Sequence, residues 1–129
     1  MSKRPPISRG ELEVARAVWG LGEATVGQVY DALAERKDID YSTVQTYLRR
    51  LEAKGYLKTR RQGRNKLYCP RVAAGQVVRE AINDLVERLF DGEPLALWQH
   101  LIQERGITVE ETRQLRQLLE QWEAEQDDR

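Results

Sequence analysis

Amide, hydroxyl and guanidinium groups recur on one side of residues 42–54 of this 129-residue chain. The segment predicts a helix from about Ser42 to Lys54 with its apolar stripe at Val44, Tyr47, Leu48 and Leu51. At 100° per residue, the remaining positions fall on or beside the opposite face. An amide can bond an adenine edge, a hydroxyl offers a donor and an acceptor, and a guanidinium can fork onto guanine or a phosphate. The pattern therefore predicts a base-reading surface made of Ser42, Thr43, Gln45, Thr46, Arg49 and Arg50.

Cations cluster on the next segment, where the spacing of apolar residues changes from helical to alternating. Residues 56–60 and 65–69 alternate as strands do, and Gly63 lies in the predicted turn over residues 61–64. Such a basic hairpin fits the phosphate backbone or the minor groove beside the helix. If about five cations meet phosphates, affinity falls with roughly the fourth to fifth power of salt concentration. The predicted contacts are Lys58, Arg60, Arg61, Arg64 and Lys66.

Two more helices precede the polar helix. Ser8 and Glu11 form a capping box for the first helix, Thr25 begins the second, and Gly55 ends the third with a positive φ. Three helices followed by a hairpin are the plan of a winged helix-turn-helix, whose third helix lies in the DNA major groove. We therefore predict a mainly α fold, with a winged-helix DNA-binding domain over residues 1–71.

Residues 72–129 predict a helical dimerisation domain that follows the first. A long helix, a short helix after a break at residues 91–94, and a last helix from Thr108 each carry an apolar stripe, and the polar tail from Glu123 is expected to fray. Three such helices form a thin layer, so a single copy would expose a large apolar patch unless the arm folded back over its own domain. We expect a homodimer instead. The predicted interface residues are Ile82, Leu85, Leu89, Leu95, Trp98, Leu101, Ile102, Leu115, Leu118, Leu119 and Trp122.

The net charge of zero conceals two halves of opposite sign. Residues 1–71 carry 15 Lys and Arg against 8 Asp and Glu, whereas residues 72–129 carry 6 against 13. Nine of the cations, against the single acid Glu52, fall within residues 41–71. This asymmetry predicts that the first half binds a polyanion and that the acidic second half stays off it.

The composition excludes several function classes. The chain has one cysteine, Cys69, and one histidine, His100, so a disulfide, a cysteine-based metal motif and a histidine-based catalytic cluster are not expected. No phosphate loop or nucleophile–base pair is present, and we predict neither an enzyme nor a cofactor. No apolar run could span a bilayer and the N-terminus is not a signal peptide, so a cytoplasmic protein without stable membrane association is expected. Cys69 is predicted to be a partly buried structural thiol.

The order of these residues resembles the BlaI/MecI penicillinase-repressor family over nearly the whole chain. The resemblance rests on residues 7–14 (Ile-Ser-Arg-Gly-Glu-Leu-Glu-Val), Val18-Trp19, residues 43–46 (Thr-Val-Gln-Thr), residues 48–57 (Leu-Arg-Arg-Leu-Glu-Ala-Lys-Gly-Tyr-Leu), Arg64 and Tyr68-Cys69-Pro70. It implies a homodimeric transcriptional repressor on a dyad-symmetric operator. By the same resemblance, Ser42, Thr43, Thr46 and Arg50 contact DNA from the helix and Arg64 contacts it from the wing.

The resemblance also implies a mode of release. Members of this family are typically inactivated when a membrane-bound zinc-metalloprotease sensor triggers cleavage of the C-terminal arm, usually at an Asn-Phe pair. The matching place here is His100-Leu101, which departs from that pair. A surface or interface role for His100 is the simpler interpretation. A copper-responsive branch carries a Cys-x-Cys pair near its C-terminus, and this chain has none there, so the releasing signal stays open.

A second hypothesis comes from another class of function. Winged helices also serve as interaction modules, and a basic face could bind RNA or an acidic protein partner instead of DNA. The loss of DNA affinity when Arg60 and Arg64 are replaced by alanine would separate the two hypotheses.

Overall fold

The computed structural model describes residues 4–128, and the fold is mainly α-helical. The chain forms two compact units, and the boundary between them lies between Glu80 and Ala81. The sequence predicts this boundary nine residues earlier, after Arg71. The elements in chain order are α1 (Arg9–Leu21), α2 (Val26–Ala34), α3 (Tyr41–Lys54), β1 (Leu57–Gln62), β2 (Asn65–Pro70), α4 (Ala74–Leu89), α5 (Pro94–His100), a π-helical segment (Leu101–Gly106) and α6 (Val109–Asp127).

Side-chain caps fix where α1, α2 and α6 begin. Ser8 and Glu11 form the predicted capping box of α1. Thr25 begins α2 as predicted, and it too forms a capping box, with Gln28. Each box satisfies backbone N–H groups that the first helical turn leaves unpaired. At the other end of α3, Gly55 adopts φ +88°, which confirms its predicted role.

The core of the first unit forms where α1, α2 and α3 pack together. Most of the fully buried apolar side chains come from the stripes of these three helices, and each contributes about 1.5–3 kcal/mol by leaving water. Trp19 packs against this core and donates its indole N–H to the Val72 carbonyl at 3.0 Å. The central buried residues are Val14, Val18, Val29, Leu33, Val44, Leu48 and Leu51.

The hairpin is longer than the alternating pattern predicts. Its strands pair in antiparallel register as far as Gln62 and Asn65, so the turn contains only Gly63, at φ +64°, and Arg64. A third extended segment joins the hairpin, because Ala24 and Tyr68 exchange both backbone hydrogen bonds at 2.9 and 2.8 Å. The wing is thereby attached to the segment between α1 and α2.

A carboxylate is buried inside the first unit. Glu11 is 2% exposed and accepts a hydrogen bond from the Lys54 ammonium at 2.6 Å, in addition to its bond from the Ser8 backbone. Lys54 also donates to the Pro6 carbonyl at 2.9 Å. The start of α1 and the end of α3 are therefore held together by one ion pair.

The second unit contains the end of α4, α5, the π-helical segment and α6. Thr108 and Glu111 form the capping box of α6. The fraying expected from Glu123 onward is wrong, since α6 continues to Asp127. Residues 123–126 are Glu, Ala, Glu and Gln, which favour helix and outweigh the lack of packing. The short helix predicted after the break ends near Gly106, but its last six residues wind as a π-helix.

Candidate nucleic-acid interface

The polar face of α3 is accessible as the helical periodicity predicts. Val44, Leu48 and Leu51 are buried, so the opposite face points away from the core. Ser42, Thr46, Arg49 and Arg50 are exposed, and Thr43 and Gln45 are half-buried at its edge.

Local contacts set what two of these side chains can offer a ligand. The Thr46 hydroxyl donates to the Ser42 carbonyl at 3.0 Å, so its hydrogen is already used and its oxygen is left to accept. The Arg50 guanidinium carbon lies 5.9 Å from the centre of the Tyr47 ring. This cation–π contact restricts where the guanidinium can lie.

Tyr41 is the first residue of α3, one position before the predicted start of the helix at Ser42. Its ring packs edge-on against Tyr30 of α2, with centroids 5.6 Å apart. Tyr41 is 47% exposed, so part of it is accessible from solvent.

Glu52 connects α3 to both strands of the wing. Its carboxylate accepts a hydrogen bond from the Thr59 hydroxyl of β1 at 2.8 Å and lies 3.8 Å from the Lys66 ammonium of β2. The Lys66 ammonium also lies 5.1 Å from the centre of the Tyr68 ring. Since one residue binds the helix to the hairpin, the wing is held at a defined place beside the polar face.

The five wing cations do not have equivalent surroundings. Arg60 is paired with Glu23 through two hydrogen bonds, Nε to Oε2 at 2.9 Å and Nη2 to Oε1. The hydrogen bond from Arg60 lowers the pKa of Glu23, which keeps the carboxylate charged. Of the five wing cations, Lys58, Arg61 and Arg64 are exposed and have no carboxylate partner among residues 4–128.

The register of the hairpin places two cations directly opposite each other. Arg61 pairs with Lys66 across the strands. Like charges in such a cross-strand pair destabilise a hairpin. An anion bound between them would relieve the repulsion.

Two carboxylates that shape this surface, Glu23 and Glu52, were not predicted from the sequence. Glu23 is separated from Arg60 by 37 positions and carries no local motif. Glu52 could have been suspected, because it is the one acid among the cations of residues 41–71.

The predicted interface residues of the arm lie in the second unit, and most are exposed in a single copy of the chain. Leu101 and Leu115 are half-buried, and the other nine are exposed. Ile82 and Trp98 also line an open groove of about 430 Å³ with Val86 and Leu97. These apolar surfaces are available to a partner.

The predicted cleavage pair marks a change in helix type. His100 is the last residue of α5, is exposed, and packs edge-on against Phe90 with centroids 6.0 Å apart. Leu101 begins the π-helical segment.

Other predicted features are placed as follows. Cys69 is half-buried on β2 and forms no disulfide. Across residues 4–128, no group of three or more His, Cys, Asp or Glu side chains is arranged to hold a metal ion. Over the same residues, no helix is both long enough and apolar enough to cross a membrane.

Sequence comparison gives matches along almost the entire chain. The profile of a protein family described as Penicillinase repressor matches residues 7–121. A transcriptional regulator, BlaI, of Mycobacterium tuberculosis is 32% identical over 96% of this chain and 90% of its own length. The penicillinase repressor of Bacillus licheniformis is 27% identical over 94% of each chain.

Comparison with solved structures matches more than half of the chain to solved structures of the repressor BlaI. The DNA-binding domain of the repressor BlaI is 34% identical with a TM-score of 0.51, over 57% of this chain and 90% of that one. Monomeric Bacillus licheniformis BlaI in complex with the blaP half-operator is 33% identical, with a TM-score of 0.51, over 58% and 92%. These matches confirm the predicted winged helix-turn-helix.

Proposed function

This chain belongs to the penicillinase repressor family of DNA-binding transcriptional repressors, and from that membership we propose that it binds a dyad-symmetric operator as a homodimer. The family is one of repressors and not of enzymes. Each winged helix would occupy one half-site, with α3 in the major groove and the wing on the adjacent backbone or minor groove.

One observation carries the proposal: the exposed polar face of α3 and the cationic wing are joined by Glu52 into one surface. Base-reading groups and phosphate-binding groups must act together to give specific affinity, because phosphate contacts position a protein and base contacts select the sequence. The proposed base contacts are Ser42, Thr43, Gln45, Thr46 and Arg50, and the proposed phosphate contacts are Arg49, Lys58, Arg61, Arg64 and Lys66.

The proposed dimer places two such surfaces on one duplex. Nine of the eleven apolar residues expected in the interface are exposed in the single chain, and pairing two arms would remove them from water. The acidic balance of residues 72–129 opposes contact between the arms and DNA. A homodimer with two-fold symmetry matches an operator whose half-sites lie about one or more helical turns apart.

Release from the operator is proposed to occur through cleavage of the arm at His100-Leu101, with a membrane sensor-protease as the partner that triggers it. The exposure of His100 and the interrupted helix at Leu101 favour access of a protease. Mass spectrometry of the repressor from induced cells is expected to show a fragment ending at His100. An intact arm in cells whose target gene is switched on would reject cleavage and point to another signal.

The binding proposal is tested by footprinting on the promoter of its own gene, followed by fluorescence anisotropy with the protected duplex. With about five phosphate contacts per half-site, the log–log slope of affinity against salt is expected to be roughly −4.5 per half-site. Binding without a salt slope would contradict the proposal. Equal or tighter binding to a single-stranded RNA or an acidic peptide would favour an interaction module instead.

Variants at the polar face give a matched comparison. Replacement of Arg49 and Arg50 with alanine removes two guanidinium groups and is expected to weaken operator binding by more than about tenfold. Arg16→Ala removes a guanidinium from α1 that is also exposed, and it should leave affinity nearly unchanged. An equal loss in both variants would indicate general electrostatic attraction without a defined interface.

A further inference from the structure

We infer that Arg60 positions the wing and does not bind a phosphate, a role that rests on the proposed function. The two hydrogen bonds to Glu23 occupy the Nε and Nη2 donors of the guanidinium. The other wing cations form no such bidentate pair within the described part of the chain.

The alternation of side chains along β1 separates Arg60 from its neighbours. Thr59 and Arg61 point to one face of the hairpin and Arg60 to the other. The Thr59 face is turned toward α3, because the Thr59 hydroxyl donates to Glu52 of that helix. Arg60 therefore lies, with Lys58, on the face of the wing that is turned away from α3, and its pair with Glu23 is what distinguishes it from Lys58.

The backbone holds Glu23 in place to receive Arg60. Gly22 adopts φ +84° after the end of α1, and Ala24 forms the backbone bridge to Tyr68 of β2. Glu23 lies between these two fixed residues. Its carboxylate binds β1 through Arg60 while the adjacent Ala24 binds β2.

The result is a wing held from two sides by two carboxylates. Glu52 holds the face toward α3, and Glu23 holds the opposite face through Arg60. If the Nε–Nη2 edge of Arg60 turned to a phosphate, both bonds to Glu23 would break and the wing would lose its second attachment. Arg60 thus contributes to affinity by placing Arg61, Arg64 and Lys66, and not through its own charge.

The salt dependence of operator binding distinguishes positioning from phosphate contact. Arg60→Ala is expected to weaken binding by roughly two- to fivefold, in proportion to a partly exposed ion pair, with an unchanged salt slope. Arg61→Ala, the neighbour on the opposite face, is expected to reduce the slope by about 1.8 in the dimer, since two phosphate contacts are lost. A slope for Arg60→Ala that falls as far as that of Arg61→Ala would overturn the inference.

Exchanging the two charges provides a direct rescue. The double variant Glu23→Arg with Arg60→Glu keeps the ion pair and the net charge, and it should bind the operator within about twofold of the original chain. Glu23→Gln weakens the pair and should lower affinity. A double variant no tighter than Arg60→Ala, or a rise in affinity for Glu23→Gln, would show that Glu23 competes with DNA for Arg60 and would reject the positioning role.

Amide hydrogen exchange of the free protein separates this inference from the binding proposal. Faster exchange at residues 57–70 and at Ala24 is expected in Arg60→Ala but not in Arg61→Ala, because only Arg60 attaches the wing. Unchanged exchange in Arg60→Ala would overturn the inference. If the original chain shows no salt-dependent DNA binding, the proposed function fails while the exchange result still decides whether Arg60 holds the wing.

Discussion

At the scale of single residues, Glu11 connects the start of one helix to the end of another. Its carboxylate completes the capping box of α1 and also receives the Lys54 ammonium at the end of α3. Burial by itself would raise the pKa of Glu11, but the hydrogen bonds from Lys54 and Ser8 outweigh it and lower the pKa below its ordinary value of 4.5. The charged form is therefore the one that stabilises the fold.

Replacing this carboxylate should destabilise the first unit. Glu11→Gln is expected to reduce the free energy of unfolding at pH 7 by roughly 2–4 kcal/mol, because the partly buried Lys54 ammonium loses its counter-charge. Urea denaturation monitored by circular dichroism measures the change. Glu13→Gln is the control, since the Lys37–Glu13 pair is exposed and should matter much less. Equal losses in the two variants would contradict the special role of Glu11.

The same residue predicts how stability changes in acid. Because the folded-state pKa of Glu11 lies below the unfolded value, its contribution is complete above about pH 4.5 and is lost as pH falls through the lowered pKa. Unfolding free energy measured between pH 7 and pH 3 should therefore fall more steeply in the original chain than in Glu11→Gln. Parallel pH profiles would indicate that Glu11 does not contribute to acid sensitivity.

At the scale of elements, the close approach of α1 and α3 determines where α3, the helix with the polar face, lies in the first unit. A Cβ atom on Gly10 would lie 2.8–2.9 Å from the Tyr47 ring, so the two helices approach closely because residue 10 has no side chain. Tyr47 in turn lies under the Arg50 guanidinium. A substitution at Gly10 that displaces the Tyr47 ring would therefore also displace Arg50, a proposed DNA contact.

Two glycines of the same helix provide a matched test of this crossing. Gly10→Ala is expected to destabilise the first unit by about 1–3 kcal/mol through overpacking against Tyr47. Gly20→Ala meets no atom within 4 Å and should stabilise α1 by about 0.5–1 kcal/mol. Thermal unfolding measures the change in stability of both variants, which should be a loss for Gly10→Ala and a gain for Gly20→Ala. A stabilised Gly10→Ala would mean that Tyr47 moves aside freely.

At the scale of the whole molecule, many large apolar residues of the arm are exposed in a single copy of the chain. Leu118 and Trp122 on α6 remain 62% and 60% exposed, one helical turn apart. Leu119 and Leu95 are exposed to a similar extent. Such a concentration of exposed apolar side chains is typical of a surface that another protein covers.

Polar substitutions on this surface should prevent the proposed pairing of two copies. Leu118→Ser with Trp122→Ser is expected to sediment as a monomer and to lose at least about 100-fold in affinity for a two-half-site duplex, because bivalent binding is lost. Leu21→Ser changes an exposed leucine of the first unit and should remain dimeric. A double variant that still sediments as a dimer would place the interface elsewhere.

The sequence by itself determined the features that depend on neighbouring residues. The capping boxes at Ser8 and Thr108, the helix end at Gly55 and the buried stripe of α3 all follow from local hydrogen bonding and helical periodicity. The winged helix-turn-helix could be predicted because every local pattern agreed with the same fold. The polar face of α3 could be predicted because a helix that buries its apolar stripe exposes the side chains on the opposite face.

Only the tertiary structure decided how distant charges are paired. Arg60 and Arg61 are equivalent in the sequence, yet one is held by Glu23 and the other is open to an anion. The bonds from Glu52 to the wing and from Glu11 to Lys54 likewise depend on how helices and strands pack. Two charges on different elements have no preferred sequence separation, whereas caps and periodicities act over fixed distances along the chain. This difference explains why the caps and the buried stripes could be predicted from the sequence and the pairs between elements could not.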